Sequence, residues 1–217
     1  MHPKNEFFCA LRGWDHRTEH GLMKRIERQF QPIAEEIIGG KVALDMVENH
    51  AVTRFWHLWR ERFMLKHSPQ PTLQSPAIGP DAQRLTQEQQ ENLERNHYVY
   101  FVDGELLVPQ AAGLRLMIKL GPWLSRQQPM SWNVLRSEDL EFLVPDTFGD
   151  YAIVPIAPNC CVASEVPSDP RLDRSTVRQI NELALAQRKE YVFARDFGAC
   201  LPNFKKRKFT DDSGSTE

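Results

Sequence analysis

Four acidic residues near two predicted strand ends are the strongest candidates for catalysis in this sequence. They are Asp139, Glu141, Asp146 and Asp150. Many metal-dependent nucleases hold their ion with carboxylates at strand ends, because a hard divalent cation prefers oxygen ligands. Such nucleases often carry an acid-x-Lys motif on the next strand, but here Asp150 precedes Tyr151 and Ala152. We therefore expect turn aspartates that accept hydrogen bonds from backbone N–H groups. A nuclease that uses Asp146, Asp150 and Glu141 is the alternative.

The histidines include one pair with a metal-binding spacing. His16 and His20 are four residues apart, which places both on one face of a helix, as in a zinc site. In an HExxH motif the glutamate that acts as general base directly follows the first histidine, but here Arg17 follows His16 and the only acid between the pair is Glu19. We therefore expect a surface pair and no metal site. His57 lies between Trp56 and Leu58 on a predicted helix, which indicates a buried structural histidine.

Nucleophiles and cofactor motifs have little support in this sequence. The four cysteines are Cys9, Cys160, Cys161 and Cys200. They form no CxxC pair, and no nearby positive charge would lower the pKa of the adjacent pair at 160 and 161. We interpret them as small hydrophobic residues of a reducing compartment. The sequence has no GxSxG, P-loop or GxGxxG motif, so we expect no cofactor.

Aromatic and basic side chains are concentrated between Thr53 and Met64. This stretch contains four large aromatics and three arginines, a density typical of a packed core helix or of a recognition surface. We identify five candidate interaction residues here: Trp56, Trp59, Arg54, Arg60 and Arg62. The alternative is that the arginines pair with acids of the preceding helix, such as Glu35 and Glu36.

A short basic block near the end of the chain is a second candidate interaction segment. It consists of Lys205, Lys206, Arg207 and Lys208. Lysine and arginine clusters bind the phosphate backbone, so a weak nucleic-acid contact is one expectation. Asp211 and Asp212 follow directly and cancel part of this charge.

The overall composition is that of one globular domain. The 217 residues are 41% hydrophobic and 26% charged, with a formal net charge of −2, so no global charge favours nucleic acid or a membrane surface. No apolar run approaches the roughly 18–20 residues of a membrane span, and the N-terminus has no signal-peptide pattern. We expect a cytoplasmic protein that does not contact a membrane.

Helical spacing and turn residues predict the elements that position these candidates. A first helix should begin near Asp15 or Thr18, contain Pro32 and end at Gly39-Gly40, with a second, antiparallel helix over 42–66. A proline-rich loop follows at 68–80. The later elements are a capping-box helix from Thr86, a hairpin around Asp103-Gly104, a helix over 110–124, strands over 131–136, 140–144 and 152–162, a helix over 175–189 and a closing strand over 191–194. Apolar spacing places Val47 and Met64 on the inward face of the second helix, and Ile118 and Ala186 on the inward faces of the helices over 110–124 and 175–189.

Several short motifs follow one another along the chain: Leu22–Glu27, Phe55–Phe63, Trp132–Leu135, Phe142–Asp146, Pro155–Pro158, Asn181 and Tyr191–Phe193. Their order is similar to that of an uncharacterised bacterial family, domain of unknown function 4238, and the similarity covers roughly residues 5–197. The family's opening His-Tyr-Val-Pro segment is missing, and Thr147 stands where a proline usually follows Asp146. The resemblance implies a shortened relative that is inactive or acts as a binder. The family has no agreed activity to carry over.

These observations predict one α+β domain over 1–197 and a charged, disordered tail over 198–217. In this domain an N-terminal helical pair packs on a small, mostly antiparallel sheet, and a C-terminal helix closes it. For function we expect a non-catalytic protein of bacterial or phage origin that binds a protein partner. An inhibitor in host–phage conflict would fit this description. The alternatives are a metal-dependent nuclease or a nucleic-acid-binding protein.

Overall fold

The fold is known from a computed structural model. It describes residues 18–67, 73–74, 85–96, 98, 101–102, 105–106, 108–125, 128–166 and 171–201. His16, Cys9, the basic block at 205–208 and most of the proline-rich loop lie outside these ranges.

Two long helices form the N-terminal part. A π-helical turn, Thr18–Met23, leads into α1 (Lys24–Ile38), and α2 spans Met46–His67. Gly40 permits the turn between them, because its φ of 113° lies in a region that other residues rarely adopt. The end of α1 packs near the start of α2 and the start of α1 packs near Leu58, so the two helices are antiparallel as predicted.

A four-stranded sheet is the centre of the fold. Its strands are β4 (Trp132–Ser137), β6 (Ile153–Ala157), β7 (Cys160–Ser164) and β8 (Arg171–Leu172), in the order β6-β7-β4-β8. β7 pairs antiparallel with both β6 and β4, whereas β8 pairs parallel with β4 at the edge. The sheet is therefore mixed, with mostly antiparallel pairs.

Both faces of the sheet are covered by helices. Alternate side chains of a strand point to opposite faces. In β7, Cys160 and Val162 pack against the helical pair, while Cys161 and Ala163 pack on the opposite side against α5 (Arg174–Gln187). The protein is an α+β fold in which the sheet lies between the N-terminal helices and the C-terminal helix, as the sequence predicted.

Two segments, one before and one after α5 in the chain, complete the face of the sheet that α5 covers. β5 (Val144–Pro145) pairs antiparallel with β9 (Val192–Phe193), and a short helix, α6 (Phe197–Cys200), follows. Asn181 of α5 is fully buried and holds three segments together. Its Oδ1 accepts the Leu143 N–H at 2.8 Å, and its Nδ2 donates to the carbonyls of Glu141 at 2.7 Å and Cys200 at 3.0 Å. The core reaches Leu201, a few residues past the predicted boundary at 197.

The middle of the chain contributes a small three-stranded sheet and two helices. It comprises β1 (Leu73–Gln74), α3 (Gln87–Arg95), β2 (Phe101–Val102), β3 (Glu105–Leu106) and α4 (Val108–Leu124). The predicted capping box is confirmed, because the Gln89 side chain accepts the Thr86 N–H and the Thr86 hydroxyl accepts the Gln89 N–H. The predicted hairpin is also confirmed by the antiparallel pairing of β2 with β3. β1 lies within the segment predicted to be a loop.

The buried face of α2 differs from the predicted one. Val47 was expected to face inward but is 75% exposed. Two polar residues face the sheet instead: the Asn49 Oδ1 accepts the Trp132 N–H at 2.7 Å, and the Thr53 Oγ1 accepts the Trp132 Nε1–H at 2.9 Å. These hydrogen bonds fix the rotation of the helix. An apolar pattern cannot show them.

Three further expectations were wrong. Met64, Ile118 and Ala186, expected on inward faces, are exposed. The predicted strand over 140–144 is regular only at Val144–Pro145. The backbone N–H groups of residues 141–143 donate to Ala199, Pro158 and Asn181, none of which lies in a strand. The predicted strand over 152–162 is a hairpin, turning at Pro158 and Asn159. In the described ranges, no helix combines the length and apolar character of a membrane span.

Candidate functional site

A cavity of about 240 Å³ opens where α2 meets β5, β6 and β9. We call it the groove. It is lined by Phe55, Trp59, Val144, Pro145, Asp146, Val154, Pro155, Tyr191 and Phe193. Eight of these nine residues are uncharged, and four are aromatic. The groove is therefore an apolar surface with one carboxylate.

Packing fixes the floor of the groove. The Phe55 ring stacks on Phe30 with centroids 3.9 Å apart, and the Trp59 ring meets Phe148 edge-to-face at 6.4 Å. Trp59 also packs against the buried apolar residues on both sides of the sheet, those that face the helical pair and those that face α5. Since core contacts hold these rings in place, the floor is preorganised.

Two aromatic residues form the exposed rim. Tyr191 is 45% exposed and Phe193 is 61% exposed, and their rings are 4.8 Å apart. Large apolar side chains in water are unfavourable by roughly 25 cal/mol for each Å² that a partner could cover. The two rings and the cavity beside them therefore form one exposed apolar patch.

Asp146 lies at one end of the groove and is only 5% exposed. Its Oδ1 accepts the Lys189 N–H at 3.0 Å and its Oδ2 accepts the Glu190 N–H at 2.7 Å. Its own N–H donates to the Tyr191 carbonyl at 3.1 Å. The hydrogen bonding expected of a turn aspartate is thus present. It connects the end of β5 to the segment that carries the aromatic rim.

The other candidate acids lie in different surroundings. Glu141 pairs with Arg195, and the exposed Asp150 carboxylate accepts a hydrogen bond from Arg60 at 2.6 Å. Asp139 is exposed at the surface. Across the part of the chain that the structure describes, one group of three metal-ligating side chains occurs, and it contains Asp146 but neither Glu141 nor Asp150.

That group joins Asp146 with His67 and Glu190, and we call it the His67 cluster. One ligand atom from each residue lies within 4.8 Å of the others. The His67 Nε2 is 3.7 Å from the Glu190 Oε1, and the Lys66 Nζ is 2.5 Å from the Glu190 Oε2. The Glu190 carboxylate raises the pKa of Lys66 by accepting its hydrogen bond. No local motif indicated His67 or Glu190, because 123 positions separate them.

The predicted interaction residues of α2 have different environments. Trp56 is 7% exposed and packs in the core, whereas Trp59 lines the groove. Arg54 donates to the Leu124 carbonyl at 3.3 Å. The Arg60 guanidinium lies 5.7 Å from the centre of the Trp56 ring.

Arg62 pairs with an acid of the first helix, but not with the expected one. It bonds to Glu27 at 3.0 Å, whereas Glu35 and Glu36 contact Gln31 and Lys41. The antiparallel packing explains the difference, because it places the end of α2 beside the start of α1. The arginines of α2 therefore serve contacts within the chain.

The remaining candidates are structural. His57 is buried as predicted, and its ring stacks on Trp123 with centroids 3.5 Å apart. Cys160, Cys161 and Cys200 are free and buried. Burial raises the pKa of all three thiols, that of Cys200 to about 11, so they are poor nucleophiles at neutral pH.

Comparisons of the chain with protein-family models, curated proteins and solved structures find no match. The resemblance to the domain of unknown function 4238 family therefore rests on the sequence motifs alone.

Proposed function

We propose that this protein binds a protein partner through the groove and that an apolar or aromatic side chain of the partner enters it. The observation that carries the proposal is the pair of exposed rim aromatics, Tyr191 and Phe193, next to a preorganised apolar cavity. Interface hot spots have this form: aromatic anchors beside a pocket that excludes water.

The size of the groove favours a side chain over a cofactor. Small-molecule sites usually measure roughly 300–1,000 Å³. The groove, at about 240 Å³, is smaller than this range. It has room for one or two large side chains of a partner.

The charge of the groove favours protein over nucleic acid. Its single charged lining residue, Asp146, is negative, and no lysine or arginine is among the lining residues. Such cations supply most of the affinity for a phosphate backbone. The nearby cations Arg60 and Lys66 are engaged with Asp150 and Glu190.

Selection from a displayed peptide library tests this proposal. We expect peptides with a recurring large apolar residue, and Phe193→Ala should weaken their binding at least about tenfold, the effect of a hot-spot residue. Ile118→Ala is the matched control, because Ile118 is 65% exposed but lies on α4 and does not line the groove. Equal binding to wild type and Phe193→Ala would overturn the proposal.

The family resemblance suggests where the partner is found. Since the motifs resemble those of a bacterial family, an inhibitor of a bacterial defence protein is one role for a groove of this kind. Producing the protein in defended cells should then raise the plaquing efficiency of a phage, and Phe193→Ala should abolish the increase. An unchanged efficiency across several defence systems would count against this role.

A metal-dependent nuclease is a second candidate, because the His67 cluster brings a histidine and two carboxylates together. The test is incubation of the protein with Mg²⁺ or Mn²⁺ and plasmid or RNA. We expect no cleavage. Cleavage that is lost in both His67→Gln and Glu190→Gln would replace the binding proposal with an enzymatic one.

A further inference from the structure

We infer that His67, Asp146 and Glu190 form a binding site for a divalent transition-metal ion such as Zn²⁺. This inference is independent of the proposed protein binding. The three residues come from separate elements: His67 ends α2, Asp146 follows β5, and Glu190 lies between α5 and β9. Tertiary structure alone brings their ligand atoms within 4.8 Å of one another.

The spacing of the donor atoms suits a single ion. Metal–ligand bonds of about 2.0–2.2 Å place two ligands of one ion roughly 3–4 Å apart. The His67 Nε2 and the Glu190 Oε1 are 3.7 Å apart. Small side-chain rotations would bring all three donors within bonding distance of a common centre.

The donor types indicate which class of ion binds. Imidazole nitrogen is a ligand for zinc, copper, iron and nickel, whereas Ca²⁺ and Mg²⁺ prefer sites made of oxygen alone. One histidine and two carboxylates therefore favour a transition metal. A site with three protein ligands also leaves a coordination position for water or a partner's group.

Asp146 is already positioned as a metal ligand would be. The N–H groups of Lys189 and Glu190 hold its two oxygens, and each carboxylate oxygen keeps a further lone pair. Hydrogen bonds of this kind orient metal ligands in known sites. An ion here would also offset the charge of a buried carboxylate.

Lys66 currently supplies the positive charge at this position. Its Nζ binds the Glu190 Oε2 and leaves the Oε1 facing His67. The ammonium group therefore competes with a metal ion for the same carboxylate. Replacing Lys66 with an uncharged residue of similar length should strengthen metal binding.

Titration calorimetry of the full chain with ZnCl₂ tests the inference. We expect one equivalent bound, with affinity at least tenfold weaker in His67→Gln and in Glu190→Gln. Lys66→Met should bind more tightly than wild type. The control variants His50→Gln and Glu138→Gln change a histidine and an acid outside the cluster and should bind as wild type does.

Three calorimetric results would overturn the inference. The first is the absence of binding to wild type at millimolar Zn²⁺, which would make the cluster an ion pair only. The second is binding that His67→Gln leaves unchanged, and the third is binding that Lys66→Met leaves unchanged or weakens. Co²⁺ absorption gives an independent readout: spectra without thiolate-to-metal bands are expected, and such bands would place the ion on cysteine instead.

Discussion

Replacing Asp146 with alanine should destabilise the whole fold. The change removes the acceptor of two hydrogen bonds, from the N–H groups of Lys189 and Glu190. Hydrogen bonds to a charged group contribute about 1.5–3 kcal/mol each, so the pair is worth about 3–6 kcal/mol. Lys189 and Glu190 are exposed residues, so we expect a cost at the lower end of this range, about 3 kcal/mol. Domains of this size are stable by about 5–15 kcal/mol, so the loss is severe.

Urea unfolding followed by circular dichroism measures this effect. Asp146→Asn keeps one carbonyl oxygen but turns an NH₂ group toward the second N–H, so its cost should be similar to or slightly below that of the alanine variant. Asp150→Ala is the control, because Asp150 is exposed and its ion pair with Arg60 should contribute less than about 1 kcal/mol. A cost below about 1 kcal/mol for Asp146→Ala would refute the structural role assigned to this carboxylate. The result also governs functional tests, since activity lost with Asp146 has to be compared with the measured loss of stability before it is assigned to the groove or to the His67 cluster.

Three further predictions concern the C-terminal half. Asn181→Ala removes three buried hydrogen bonds and should cost about 3–5 kcal/mol in urea unfolding, whereas Gln179→Ala, exposed on the same helix, should be near neutral. Gly149→Ala should cost about 1–2 kcal/mol, because the φ of 65° disfavours a side chain and the new Cβ would lie 2.6 Å from the Gln187 Oε1. A smaller loss in thermal melting would mean that Gln187 moves aside freely. In a Cys9→Ser variant the thiols should resist a disulfide reagent at pH 8 until urea is added, because a pKa of about 11 leaves Cys200 about one part in a thousand ionised. Fast labelling of the native protein would contradict their burial.

Local signals predicted much of the fold. Gly39-Gly40 ended α1 as expected, and the capping box at Thr86 formed with both of its hydrogen bonds. These features depend on residues a few positions apart, which a sequence displays directly. The buried face of α2 was mispredicted because Asn49 and Thr53 are polar yet face the sheet. Their partners on β4 are about 80 positions away, and no periodic pattern contains that information.

The candidate site was only partly predictable for the same reason. Asp146 was identified from its place after a predicted strand, and Trp59 from its aromatic neighbourhood. His67 and Glu190 join Asp146 only after α2 and the end of α5 pack against β5. The rim aromatics, Tyr191 and Phe193, were expected to form a closing strand, and their exposure depends on β9 lying at the edge of a two-stranded sheet.

Trp59 has a consequence for how this protein can change. The same ring lines the groove and contacts the cores on both sides of the sheet. In the proposed binding mode, a substitution of Trp59 would therefore alter recognition and folding together. Substitutions of the exposed rim residues Tyr191 and Phe193 would change the binding surface at a smaller cost in stability.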